Sequence, residues 1–311
     1  MISTPNVSDA HLSTGFAKPP DEADRATLST SLSGGAAPVK SLGPVTDLER
    51  QVEPDWWRRL FGELYLKTDG DVVENALSTK MDVDYLIAAT SIRPDSRVLD
   101  LCCGQGRHLL ELWRRGFRNL TGLDYSEYLL RLGDERARAE KMTIGFIRQD
   151  ILGFRPEQAS YDCICLMGNS FGYFDREECD VSVLKFVHAP SQITGVVVLD
   201  IADGEWLRDN FEARSWEWID SAHLACRERC LSAERVRLVS RELVIHLAKG
   251  VIADQFYAER LYSFEHIRDI LLGLGFVDIQ LHDARTTESN RNQDLGMLAR
   301  RLFITARVVK N

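Results

Sequence analysis

The stretch VLDLCCGQGRHLLEL, Val98 to Leu112, decides how the chain folds. Val98–Leu101 is an apolar run of strand length, Gly104-Gln105-Gly106 is a bend, and a helix opens at His108 and runs to Arg115. In a strand–glycine bend–helix unit the backbone can approach a bound nucleotide or nucleoside. Three ligands compete for the bend. A phosphate loop needs Lys followed by Ser or Thr at the helix start, and neither pair follows Gly106. The dinucleotide fingerprint needs a third glycine three residues after Gly106, where the chain has Leu109, so an NAD-type oxidoreductase is the weaker alternative. S-adenosylmethionine (SAM) needs an acid at the strand end and a bend that lets backbone close in. Asp100 and Gly104-Gln105-Gly106 supply both.

Downstream the chain alternates strand and helix. Leu120–Leu123 is a second strand ending in Asp124-Tyr125-Ser126, with Ser126 placed to cap a helix from Glu127 to Lys141. Ile144–Arg148 is a third strand, ending at Gln149-Asp150-Ile151. Tyr161–Met167 is a fourth, nearly all apolar and therefore central, and it ends in Met167-Gly168-Asn169-Ser170. Helix Glu177–Val187 leads to a fifth strand, Gly195–Ile201. This rhythm predicts an α/β fold with a doubly wound, Rossmann-like parallel sheet. Ligands bind such sheets outside the carboxyl ends of the strands. Asp124, 24 residues after Asp100, suits a ribose, and Asp150 suits an adenine amino group. Four successive strand ends with suitable groups weigh more than one glycine loop.

Residues 1–45 are rich in Ser, Thr, Pro, Ala and Gly and read as a disordered leader, with order expected from near Pro54. DWWRRLFGELYL reads as one helix with Trp57, Leu60, Phe61 and Leu64 on one face, Trp57 and Phe61 serving as packing residues. A loop, KTDGDVVEN, and a helix from Ala76 to Thr90 follow. From about Ser215 to Tyr262 polar and apolar residues alternate, as in antiparallel strands joined by a Lys249-Gly250 turn. A helix over Phe264–Leu274 and strands at Phe276–His282 and Arg301–Val309 close the chain.

The net charge of −9 does not attract phosphate backbones, which disfavours a nucleic-acid binder. The apolar runs are strand-sized, so no membrane partner is expected, and the N-terminus does not read as a secretory signal. Seven scattered cysteines fit a reducing cytoplasm and structural roles, with no metal ligand set at Cys163/Cys165 or Cys226/Cys230.

VLDLCCGQGRH, GLDYS, RQDI and CLMGNSFGYF together resemble the motifs of class I SAM-dependent methyltransferases, from about Asp55 onward. The antiparallel insert and NSFGYF resemble the small-molecule type, including amino-sugar N-methyltransferases and glycine N-methyltransferase-like enzymes. The resemblance implies SAM as cofactor and methyl transfer to nitrogen or oxygen of a small-molecule acceptor, in secondary metabolism. A catalytically silent binding or regulatory protein of this fold is the alternative. It divides the chain into a leader (1–45), a helical lid over the donor (46–92), a SAM-binding core (93–214), an antiparallel insert serving as substrate cap or homodimer contact (215–263) and the end of the core (264–311). Its donor-binding residues would be Tyr65, Thr68, Asp100, Cys102, Gly104, Gly106, Asp124, Tyr125, Gln149, Asp150, Ile151, Met167 and Asn169. Cys102 stands where many members have glycine. Phe171, Tyr173, His223, Tyr257 and Arg260 are candidates for the acceptor pocket, and His108 and Tyr173 are candidates for a base or orienting group. His108 also reads as a helix-start residue touching the methionine carboxylate or a neighbouring helix. Asn169-Ser170-Phe171-Gly172 is not the Asn-Pro-Pro-aromatic motif that grips a nucleobase amine.

Overall fold

Side chains on successive strand residues point to opposite faces, and the central strands of this chain are apolar on both. Val98, Cys163, Cys165, Val196 and Val198 pack on one side, with Val83, Leu86, Leu109 and Leu112 from two helices. Leu99, Leu101, Ile164, Leu166, Val197 and Leu199 pack on the other, with Val183, Leu184, Ile267 and Leu271 from two more. The result is a three-layer α/β sandwich whose cores lie on either side of the sheet.

The computed structural model describes residues 39–154, 161–188, 193–282, 285–287, 289, 291 and 295–308. In chain order the helices and strands are α1 (Trp57–Leu60), α2 (Glu63–Thr68), α3 (Gly70–Val73), α4 (Ala76–Thr90), β1 (Arg97–Leu101), α5 (Arg107–Arg114), β2 (Asn119–Asp124), α6 (Glu127–Ala139), β3 (Gly145–Arg148), β4 (Tyr161–Leu166), α7 (Glu177–His188), β5 (Ile193–Ala202), α8 (Gly204–Asn210), β6 (Arg214–Asp220), β7 (His223–Leu231), β8 (Arg237–His246), β9 (Gly250–Arg260), α9 (Phe264–Gly273), β10 (Phe276–Leu281), β11 (Arg285–Thr286) and β12 (Arg300–Val308). The main sheet runs β10-β12-β5-β4-β1-β2-β3, with β11 beside β12. β4 is central, as its apolar run predicts. β1 to β5 pair in parallel, whereas β12 is antiparallel to both β5 and β10. A second sheet, β6-β7-β8-β9, is antiparallel throughout. Among the described residues no helix is long and apolar enough to cross a membrane.

Three sequence expectations at the N-terminal side need correction. The single helix expected over Asp55–Leu66 is two, because Gly62 adopts extended backbone and starts a new helix at Glu63. The expected KTDGDVVEN loop is mostly helical, through α2 and α3. Order also begins well before Pro54. Leu48 is buried against Val239 and Ala258 of the antiparallel sheet, and the Arg241 guanidinium donates to the Gly43 carbonyl at 2.7 Å. Of the expected leader, residues 1–38 lie outside the described residues. The fit is closer further on. α4 spans Ala76–Thr90 as expected, and Ser126 caps α6 by accepting from the Leu129 amide at 3.2 Å.

Candidate functional site

The carboxyl ends of β1, β2 and β4 open into a cavity floored by the glycine bend. Its turn needs left-handed backbone at Cys102 (φ 58°) and Gly106 (φ 69°), which explains why glycine would serve at Cys102 too. A Cβ on Gly106 would lie 2.8 Å from the Phe146 ring. Cys102, Gly104, Tyr125, Gln149, Ile151 and Met167 line this cavity. So does Asp124, whose Oδ2 accepts from the Gly104 amide at 2.7 Å and whose Oδ1 accepts from the Ser126 amide at 2.7 Å. Burial pushes its carboxyl up to about 6 against those two amides. Each oxygen keeps a lone pair, enough for a pair of ligand hydroxyls. Burial, with Asp124 next in importance, raises the thiols of Cys102 and Cys103, so both are inert neutral walls.

Behind the bend lies a buried charge network. Asp82 of α4 meets Arg107 (2.8 Å), Arg285 (2.6 Å), Arg301 (3.1 Å) and His108 Nε2 (3.4 Å). Burial works to raise the Asp82 carboxyl. The His108 hydrogen bond and the Arg107 and Arg301 charges outweigh it and hold the group well below the usual carboxylate range. His108 Nδ1 lies 3.8 Å from Asp100, whose buried Oδ2 has no hydrogen-bond partner among the described residues. Arg107 and His108 both line the cavity.

A second cavity shares the walls Phe61, Tyr65, Gly168 and Tyr173 with the first. Its floor is the inward face of β7, β8 and β9, with Arg227, Glu242, Gln255 and Tyr257. Its other walls are Trp56, Thr68 and Asp69 from the N-terminal helices and Leu295, Gly296 and Leu298 from the late loop. Arg227 is held by Glu217 (2.6 Å) and Glu242 (2.7 Å). Burial first, then Glu242, raises the Asp69 carboxyl to about 6, with Arg227 opposing.

The sequence candidates fall into distinct places. Tyr65, Met167, Phe171 and Tyr173 reach the first cavity, and Tyr65 and Tyr173 reach the second as well. Trp57 and Phe61, read as packing residues, line the first cavity instead. Thr68, Asn169 and Tyr257 line only the second. Asn169 sits in left-handed backbone (φ 65°) and bridges the two sheets, accepting from the Ala202 amide at 2.8 Å and donating to Glu259 at 2.6 Å. The Tyr173 hydroxyl donates to the Asn169 carbonyl, and burial keeps it protonated, so it is a wall and not a base. Both ring nitrogens of His108 face carboxylates, Asp82 of α4 and Asp100, which fits the helix-start reading. His223 lines neither cavity and instead pairs with Asp220 at 2.8 Å near Lys67. Arg260 is drawn to Asp180 (3.4 Å) and the Asp175 carbonyl (2.9 Å). Asp150 stands outside the cavity lining, because Arg58 of α1 takes its Oδ2 at 2.8 Å and the Leu152 amide its Oδ1 at 3.0 Å. In the late loop, Arg291 binds Asp71 at 2.6 Å, and Asn292, Gln293 and Asp294 lie outside the described residues.

Arg58, Asp69, Asp82 and Arg107 are charged residues at or beside the cavities that were not singled out from the sequence. Arg107 had a signal, since it directly follows the glycine bend at a helix start. Asp82 had none, since its buried face of α4 carries Thr79 and Thr90 as well as Val83 and Leu86.

Comparison with known proteins agrees with this geometry. A family model described as "Methyltransferase domain" matches residues 98–188. A protein of Geobacillus sp. (strain WCH70) named as a methyltransferase is 29% identical over 108 residues. That match covers 34% of this chain and 42% of the relative, so the chain spans less than half of the relative's own length. A SAM-dependent methyltransferase from Clostridium acetobutylicum ATCC 824 superposes with a TM-score of 0.61 at 17% identity, over 79% of this chain and 97% of the other. SAM-bound CalS10, an amino pentose methyltransferase from Micromonospora echinaspora, superposes with a TM-score of 0.54 at 18% identity, over 80% of this chain and 99% of the other. The fold is therefore that of the class I SAM-dependent methyltransferases. More narrowly, the match to the methyltransferase domain family covers residues 98–188, from β1 through the fourth strand end to α7.

Proposed function

We propose that this chain is a SAM-dependent methyltransferase that transfers a methyl group to nitrogen or oxygen of a small-molecule acceptor. The observation that carries the proposal is the pair of cavities meeting at Phe61, Tyr65, Gly168 and Tyr173, one at the glycine bend and one under the antiparallel sheet. The first fits the donor. Asp124 would accept the ribose hydroxyls, and Tyr125, Gln149 and Ile151 would flank the adenine. Arg107, on the lining, would offer a cation to the methionine carboxylate, whereas Asp100 is buried outside the lining beside His108. SAM, when bound, supplies a methyl group on a sulfonium that is already an activated electrophile. The chain's task is then to align the acceptor and exclude water. The aromatic shared walls serve both ends.

Calorimetry tests this reading. The protein is expected to bind SAM, and Asp124→Ala to weaken binding by about 10- to 100-fold, the range for hydrogen bonds to a charged group. Affinity should rise from pH 5 to pH 7, because ribose hydroxyls donate best to the ionised Asp124, whose pKa lies at about 6. A parent protein that does not bind SAM, or an Asp124→Ala variant that matches it, would overturn the proposal. A protein that binds SAM but releases no product with any acceptor would favour the silent binding role.

A further inference from the structure

We infer that Asp69 is the group that receives the acceptor, binding it as an ammonium and taking its proton. This rests on the methyltransferase reading above. Two carboxylates line the second cavity, Asp69 and Glu242. Glu242 is committed to Arg227 at 2.7 Å and to the Gln255 amide at 2.9 Å. Asp69 accepts one hydrogen bond, from Thr68 Oγ1 at 2.7 Å, and has no ion-pair partner among the described residues. A carboxylate left without a cation inside a cavity invites one from the ligand.

The rings around it suit the same guest. Trp56 lies 5.2 Å from Tyr173 and 5.8 Å from Tyr257, and Phe61 lies 5.1 Å from Tyr65 and 5.6 Å from Tyr173, between ring centroids. Aromatic faces attract ammonium ions through their quadrupoles. Burial holds the Tyr65 and Tyr257 hydroxyls protonated, so neither competes as a base. Trp56 Nε1, on a side chain that is 4% exposed, has no hydrogen-bond partner among the described residues. The acceptor class is therefore a small primary or secondary amine.

The step balances without another reactant. A proton passes from the ammonium to an Asp69 oxygen, and the freed nitrogen lone pair forms the new N–CH3 bond. The S–CH3 bond breaks with its electron pair left on sulfur, and the Asp69 proton then leaves to solvent. The charged and titratable groups facing Asp69 are Glu242 from β8, Arg227 from β7 and Asp71 from α3. The Tyr65, Tyr173 and Tyr257 hydroxyls and Arg229 line the same cavity region. Burial lifts the Asp69 carboxyl to about 6 among these groups.

The test measures S-adenosylhomocysteine release by the full chain. Its acceptors are a set of small amines headed by trans-4-aminocyclohexanol, with trans-1,4-cyclohexanediol as the neutral control. Amine turnover and no diol turnover are expected, with kcat/KM rising about tenfold from pH 5 to 7 as the base ionises. Asp69→Asn should lower kcat/KM by about 100-fold or more and flatten that rise, and Asp69→Glu should restore part of both. The inference is overturned by Asp69→Asn turning amines over within twofold of the parent with the same pH profile. It is equally overturned by turnover of the diol in preference to the amines, or by turnover of no amine while SAM binds by calorimetry. Failure to bind SAM at all would instead remove the methyltransferase reading.

Discussion

The two cavities share four walls and are built in opposite ways. The first is lined largely by residues that follow one another at successive strand ends, and its key carboxylate, Asp124, is aimed by backbone amides of its own bend. The second is assembled from four distant segments, near residues 56–69, 168–173, 227–257 and 295–298, and its charges are fixed by ion pairs between strands. Backbone-aimed groups depend on the fold alone. Groups aimed by ion pairs depend on their partners, so the second cavity is the one whose chemistry single substitutions can rewrite.

The sharpest way to break this contrast is at Asp82, where the first cavity also relies on a charge network. Asp82 is buried and faces three arginines, so Asp82→Ala leaves Arg107, Arg285 and Arg301 without their shared anion. Breaking a buried pair by removing one partner costs about 3–5 kcal/mol. Urea unfolding should show a loss of that order, together with weaker SAM binding through Arg107. A loss below about 1 kcal/mol would mean that backbone alone holds the donor side.

A smaller effect separates the two cavities by pH. Glu259 stands beneath the second cavity, bonded to Asn169, and burial raises its carboxyl to about 8 from an ordinary 4.5. The folded state therefore favours its protonated form. That contribution to stability is complete below about pH 4.5 and is lost as pH rises through 8. Asp69 and Asp124, each near 6, add to the decline at lower pH, so the interval from pH 6 to 8 reports Glu259. The parent's urea midpoint should fall across that interval. Glu259→Gln keeps an acceptor for Asn169 and should flatten the fall. An equally steep decline in the variant would place the titration elsewhere.

Legibility in the sequence follows the same division. The doubly wound sheet was readable because apolar period and glycine placement are local, and β4 announced its central position by being apolar on both faces. Asp124, Gln149, Ile151 and Met167 were readable because strand ends are adjacent to the strands that identify them. The second cavity was not, because no local pattern tells that Asp69, Arg227 and Leu298 converge. β9 was half readable. Alternation separated Tyr257 and Glu259 from Asp254 and Phe256, and the structure places Tyr257 inward and Phe256 against the N-terminal segment. It could not foresee that Arg260 turns toward Asp180. Nor could it foresee that Gly62 would split the first helix and bring Trp56 and Tyr65 to one chamber.

The smallest thermodynamic effect belongs to Arg58, and it reports on how α1 is fastened. Its guanidinium pairs with Asp150 at 2.8 Å, donates to the Tyr125 hydroxyl at 3.0 Å and lies over the Trp57 and Tyr125 rings at 4.7 and 4.9 Å. The pair is 39% and 24% exposed, so solvent screens it, and Arg58→Ala should cost only about 0.2–1 kcal/mol of stability. Yet these contacts fasten α1 to the loops after β2 and β3, and Trp57 and Tyr125 both line the donor cavity. A clasp of this kind acts on release more than on folding, since opening requires α1 to leave Asp150 while the rest of the fold stays intact. Stopped-flow dissociation of S-adenosylhomocysteine should therefore quicken by about three- to tenfold in Arg58→Ala, the range that about 1 kcal/mol allows. Arg58→Lys keeps the charge and loses the flat guanidinium and its second donor, so it should fall between the two. An unchanged dissociation rate in both variants would show that the donor leaves by a path that does not lift α1, and the donor cavity would then depend on its strand-end loops alone.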